Sequence, residues 1–268
     1  MLVTVCSLKG SPGTTTFATA LGARWPTQES PIVVEADPSG GDLAARFRLA
    51  ESPGLVSLAA AARGHGGDPD LLGQHVQRLS SDLRVVLGPA GAEQSRAALS
   101  VLAAYTPSPL RSAASRAGTT VIADCGRVDP DSPALPIIRS ADTMLLLVRP
   151  HDDELAHVAL KLHIAQTWSR RPCLVLVGDG YSDAEVSRVL GIPVLGRVPR
   201  DDKGAAVLGG RGNRRHGPSR SAVGRAAAKI AANVHAHRYA DPTRSSRVPP
   251  ARFTSQPLAA AIRNGGTS

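Results

Sequence analysis

Apolar runs of five or six residues recur along the chain, each followed by a stretch whose apolar positions return at helical intervals. The runs are Leu2–Cys6, Pro31–Glu35, Leu83–Leu87, Thr120–Asp124, Thr143–Val148, Cys173–Val177 and a short Val194–Val198. Continuous apolar runs suit strands buried on both faces, and their alternation with helical stretches predicts an α/β fold, a mostly parallel sheet covered by helices on both faces. Several runs end in small or acidic residues: Lys9-Gly10 follow the first, Asp37 the second, and Asp124 closes the fourth. Ligands of such sheets sit at the carboxyl ends of the strands, so these residues are expected to converge.

The pattern runs to about residue 238. Its last segment, Ser219 to Val234, places Val223, Ala226, Ala227, Ile230 and Val234 at helical intervals. An alanine-rich face without bulky anchors favours packing as the domain's last helix over a membrane-surface helix. Beyond it, residues 239–268 include Asp241-Pro242-Thr243-Arg244-Ser245-Ser246-Arg247-Val248-Pro249-Pro250, which reads as linker or disorder. The expected organisation is one domain over 1–238 and a basic, proline- and serine-containing tail over 239–268.

Composition adds compartment and charge. With 42% hydrophobic residues among 268, the chain can bury a full core. It contains no membrane-length apolar run and no signal-like start, so the expected location is cytoplasmic. Cys6, Cys125 and Cys173 lie in or beside apolar runs without metal spacing and read as buried thiols. The net charge of +9 is uneven: residues 200–268 hold 13 basic and 3 acidic groups, with Arg211, Arg214, Arg215, Arg220, Arg225 and Lys229 closely grouped. Such a region suits non-specific contact with DNA phosphates or an anionic membrane, and equally a solvated tail. Paired histidines with zinc-protease spacing are absent, and His235 and His237 read as solvated. The run Asp152-Asp153-Glu154 reads as a helix start.

The most specific chemistry lies at residues 7–16, Ser-Leu-Lys-Gly-Ser-Pro-Gly-Thr-Thr-Thr, between the first strand and the first helix. Gly10 and Gly13 suit a loop whose backbone approaches phosphate. Thr14, Thr15 and Thr16 open a helix whose N-terminus favours anions. In the general phosphate loop a lysine precedes the magnesium-binding Ser/Thr, and here Thr14 occupies that place. Ser11 replaces a more permissive glycine, and Pro12 contributes no N–H. Alone, such a segment is also an ordinary turn.

The segment resembles the deviant phosphate loop of the ParA/MinD family through Lys9, Gly10, Gly13 and Thr15, and departs from it at Ser11 and Thr14. The resemblance continues downstream. Val33-Val34-Glu35-Ala36-Asp37-Pro38 is similar to the family's second strand and switch, and Thr120-Val121-Ile122-Ala123-Asp124 to its Walker B strand. Ser140–Val148 and Leu190–Asp201 are similar to its later strands and closing proline loop. Leu83 to Gly91 is similar to a strand of branches that position pilus or secretion machinery.

This resemblance implies a P-loop NTPase-like three-layer fold that binds ATP and magnesium. Lys9 would reach a phosphate across a homodimer, Thr15, Asp37 and Asp124 would serve magnesium, and Asp37 would orient the attacking water. Lys9, Gly10, Ser11, Gly13, Thr14, Thr15 and Thr16 would line the phosphates. Asp37 and Asp124 taken singly are also ordinary turn or cap residues. The family's role implies a positioning partner and partitioning or positioning of DNA or a cellular machine. Loss of the lysine at Thr14 implies slow or absent hydrolysis, and the alternative is a non-catalytic scaffold, pilus- or secretion-associated, that does not use ATP. Where relatives place an adenine-reading asparagine, this chain has Gly178-Asp179, so base preference stays open.

Overall fold

The computed structural model describes residues 1–26, 28–65, 67–212, 215 and 217–237. The expected tail at 239–268 and Arg214 lie outside the described residues. The strands are β1 (Leu2–Ser7), β2 (Ser30–Glu35), β3 (Gln77–Arg78), β4 (Arg84–Val86), β5 (Thr119–Arg127), β6 (Thr143–Val148), β7 (Pro172–Val177) and β8 (Val194–Val198). They form one sheet in the order β3-β4-β2-β5-β1-β6-β7-β8. Every pairing is parallel except that of β3 with β4. β3 is an addition to the strands expected from the sequence, because two residues carry no readable periodicity.

Alternate side chains of each buried strand feed two cores. Leu2 and Cys6 enter one, Val3 and Val5 the other. The first core is covered by α3 (Leu55–His65), α4 (Ala92–Ala103), α5 (Pro109–Ala114), α6 (Leu135–Ser140), α7 (Asp152–Trp168) and α8 (Asp183–Leu190). The second is covered by α1 (Thr14–Ala23), α2 (Leu43–Phe47), α9 (Asp202–Leu208) and α10 (Ala222–His237). The expected α/β architecture is therefore present, with helices on both faces. In α10, Val223, Ala227, Ile230 and Val234 are buried while Arg225 and Lys229 face solvent, so this helix packs on the sheet. His235 is only partly exposed and lies 3.8 Å from Glu29, a correction to its solvated reading.

Burial also explains the thiols. All three cysteines are free and buried, and burial pushes Cys6 up to about 12 and Cys173 up to about 11, where they behave as small apolar side chains. Central β1 is flanked by β5 on one side and β6 on the other, so the chain turns in opposite directions from its carboxyl end. That switch point opens the crevice in which doubly wound sheets place ligands.

Candidate functional site

The loop 8–13 leaves β1 at this switch point and enters α1. Gly13 turns it with φ +92, a left-handed conformation that costs glycine nothing, and its carbonyl accepts from Phe17 N at 2.8 Å to start the helix. No side chain caps α1 and no acid stands in its first turn, so its N-terminal N–H groups and dipole remain open to an anion. Gly10 and Ser11 are exposed at the loop's outer edge, whereas Thr14 is buried. The hydroxyl of Ser7, just before the loop, is buried without a hydrogen-bond partner.

Three expected site residues meet beside this helix start. The Thr15 hydroxyl lies close enough to the carboxylate of Asp124 to favour its charged form, and Asp124 Oδ1 accepts from Gly126 N at 3.2 Å. Asp124 does not close its strand as the sequence suggested. β5 runs on to Arg127 alongside Ser7, with one extra residue on β5 where the register shifts between the Val5–Asp124 and Ser7–Arg127 pairs. Asp37 reaches the same place from the end of β2. A Cβ built on Gly126, whose φ is +59, would lie 2.0 Å from Asp37 Oδ2, so only glycine leaves room for that carboxylate.

The electrostatics follow from this crowding. Burial, together with the charges of Asp37 and Glu35, pushes Asp124 up to about 7, although the Thr15 hydroxyl pulls the other way. Burial also raises Asp37, against the N–H of Ser39, which donates to Asp37 Oδ1 at 2.7 Å. A divalent cation beside Thr15, Asp37 and Asp124 would relieve that cost, so the donor set of one hydroxyl and two carboxylates fits magnesium. Among the described residues no three His, Cys, Asp or Glu side chains form a self-sufficient metal cage. Magnesium that shares nucleotide phosphates and water needs only one or two carboxylates.

Glu35 is a functional neighbour that sequence reasoning passed over. It is buried, and its carboxylate accepts from Asp42 N at 2.8 Å, Leu43 N at 2.9 Å and Gly88 N at 3.0 Å. These bonds tie the 36–42 turn to the end of β4. From α4, Ser95 Oγ donates to the Asp37 carbonyl at 2.6 Å and fixes the same turn. The available signal was an acid closing an apolar run.

The opposite flank carries different chemistry. Lys9 Nζ lies 3.5 Å from Asp153 Oδ2 and 3.2 Å from His157 Nδ1, so it faces the first turns of α7. Arg149, immediately after β6, donates from Nη2 to the Ser11 carbonyl at 3.3 Å and from Nη1 to Glu154 Oε1 at 3.1 Å. Pro12, Gly13 and Thr16 line a cleft of about 160 Å³ together with Pro199 of the loop after β8 and Asp202 at the start of α9. Arg197 of β8 spans the turn after β7, donating to the Gly178 carbonyl at 2.7 Å and to Asp183 at 3.0 Å. Thus Thr15, Asp37 and Asp124 come together, Thr14 and Thr16 flank them on α1, and Lys9 of the loop is turned away toward α7.

Comparison with known proteins places this arrangement. No family model and no curated protein sequence matches the chain. Solved structures do. A ParA family ATPase from Chlorobium tepidum TLS is 19% identical, covering 86% of this chain and 98% of that one, with a TM-score of 0.67. The septum site-determining protein MinD of Pyrococcus horikoshii OT3, complexed with Mg-ADP, is 18% identical over 87% and 95%, with a TM-score of 0.62. Cobyrinic acid a,c-diamide synthase of Mycobacterium smegmatis, with an ATP analogue and magnesium bound, is 15% identical over 89% and 95%, with a TM-score of 0.59. Across nearly their whole length, then, this chain has the fold of ParA- and MinD-type P-loop ATPases.

Proposed function

We propose that the protein binds ATP with magnesium and acts as a nucleotide-linked dimer that partitions or positions DNA or a cellular machine, hydrolysing ATP slowly or not at all. The observation carrying this reading is the convergence of Asp37 and Asp124 on Gly126, with Thr15 beside them, at the open N-terminus of α1. Thr15 and Asp124 would hold magnesium, Asp37 would orient a water, and the N–H groups of the loop and of Thr14 to Thr16 would receive phosphate oxygens. Bound magnesium supplies positive charge to the phosphates. The remaining catalysis in this class is positioning and charge stabilisation, so Thr14 in place of lysine lowers turnover more than it lowers binding.

The dimer and its partner rest on two supports. The structural neighbours include the MinC:MinD complex of Aquifex aeolicus. In addition, the face of α7 that holds Lys9 through Asp153 and His157 continues into Leu160 and Ile164, exposed apolar side chains on the same helical stripe. The exposed Arg211, Arg215, Arg220, Arg225 and Lys229 supply the DNA contact in this reading. No helix among the described residues is long and apolar enough to cross a membrane.

A second reading, a scaffold of the same fold that does not use ATP, is favoured by the altered flank. Thr14 is buried where a lysine belongs, Lys9 is engaged with α7, and Arg197 occupies the turn after β7. Equilibrium titration of the whole chain with ATP, with and without magnesium, separates the two. Saturable magnesium-dependent binding supports the first reading, and its absence leaves the scaffold.

A further inference from the structure

Thr14 removes the lysine that neutralises phosphate charge in ordinary phosphate loops, and Lys9 is turned to α7. Resting on the nucleotide reading above, we infer that Arg149 is the binding residue that replaces this charge. β6 lies beside β1 in register, Cys6 opposite Leu146, so the residue after β6 arrives next to the start of the loop. Among the described residues, Arg149 is the cationic side chain that hydrogen-bonds the loop backbone, through Ser11.

Its donors are only partly used. A guanidinium has five N–H groups, and those of Arg149 make one bond to Glu154 and one to the Ser11 carbonyl. The rest are uncommitted, and the side chain is 45% exposed at the crevice edge. Glu154 explains why the arginine stays. It is buried, its Oε2 accepts from Arg149 N at 3.0 Å, and its Oε1 lies 3.6 Å from where a Cβ would stand on Gly10. A carboxylate so close to the loop would repel a phosphate unless a cation accompanied it. Arginine can do both tasks because its planar fork holds a carboxylate on one edge and offers N–H groups to phosphate oxygens on another. A lysine at Thr14 would act from inside the loop; Arg149 acts from its rim.

The test measures binding to the full-length protein by calorimetry, using inorganic tripolyphosphate and a magnesium-bound non-hydrolysable ATP analogue. Arg149→Gln keeps donors for Glu154 and Ser11 and drops the charge. It is expected to weaken both probes by about tenfold or more, a loss read at a temperature where the melting curve shows the variant fully folded. Arg149→Ala combined with Glu154→Gln, which leaves no orphan carboxylate, gives a smaller loss of a few-fold, that of the guanidinium donors alone, should the single variant not fold. Adding Thr14→Lys to either background restores the affinity, and gains less when added to the wild type. Wild-type affinity in the Arg149 variants, or an equal Thr14→Lys gain in every background, overturns the inference and leaves the nucleotide reading standing. If the wild-type chain binds neither probe, the nucleotide reading fails and this inference with it.

Discussion

On one side of β1, where β2 and β5 end, Thr15, Asp37 and Asp124 form a compact, half-buried acidic corner. On the other side, where β6 and β7 end, the expected lysine is Thr14, Lys9 faces α7, and Arg149 and Arg197 are bonded to loop carbonyls. In the proposed function the first flank would serve a metal and the second the charge of a phosphate, so that the two tasks would be separable. The acidic corner is held by buried strands, whose alteration would disturb the core. The cationic rim is held by loops and an exposed helix start, where a charge can move from one residue to another without repacking.

The largest effect should come from breaking the acidic corner at its tightest point. Gly126→Ala would put a Cβ 2.0 Å from Asp37 Oδ2 at a φ of +59, so Asp37 must leave. The magnesium-dependent part of ATP binding is expected to fall by up to about a hundredfold, the upper range for residues that orient a metal ligand. Titration with and without magnesium measures it, and an unchanged magnesium effect would remove Asp37 from the site.

Asp124→Asn acts on the same corner with two opposed outcomes. Burial first, and then neighbouring carboxylates, raise this group from the ordinary 3.8 to about 7, so the unfolded chain loses the proton before the folded one. Its cost to stability is absent below the ordinary carboxylate range, grows as pH rises, and is complete above about 7. The asparagine variant should therefore melt a few degrees higher than wild type at pH 8, with the gap closing as the pH falls toward the ordinary range. Magnesium should stabilise wild type and not the variant, whose nucleotide affinity falls about tenfold. A variant that melts lower at pH 8 would mean that the Asp124 charge is already compensated.

The rim is tested in the opposite direction. Thr14→Lys should raise affinity for magnesium-ATP several-fold, less than the tenfold of one well-placed charge-assisted contact because Arg149 already serves the phosphates. No gain in affinity or hydrolysis would show that residues 7–16 do not align with a phosphate loop as drawn here.

The two flanks also differ in how much of them the sequence disclosed. The sheet, its seven main strands and the last packing helix were legible because buried parallel strands are continuous apolar runs, and α10 repeats its apolar positions every three or four residues. Asp37 and Asp124 were legible because a lone carboxylate at the end of such a run stands out. Glu35 was not, although it closes its run, because its three N–H donors, on Asp42, Leu43 and Gly88, are brought over it only by the fold. Gly126 was hidden because its constraint comes from Asp37, a residue distant in sequence. Glu154 read as part of a helix start and Arg149 carried no signal, because the approach of Arg149 to Ser11 depends on β6 lying beside β1. Local pattern carries the fold and the strand-end acids, whereas contacts across strands carry the rim.

The smallest effect on the isolated chain is expected at Lys9, and that smallness is informative. Lys9 is partly exposed and its partner Asp153 largely so, and ion pairs of this kind add little to stability. Lys9→Ala should leave the melting temperature unchanged. If the contact with α7 is a resting position from which Lys9 reaches a second copy, the variant keeps the monomer's magnesium-ATP affinity but loses nucleotide-induced dimerisation in sedimentation velocity. Asp153→Asn, which releases the lysine, should shift the same equilibrium modestly toward dimer. A Lys9→Ala chain that instead loses affinity as a monomer, as the Arg149 variants are expected to, would place Lys9 on its own phosphate site. The division of the rim would then be redrawn, with two cations of one chain serving one nucleotide and α7 free for a different partner.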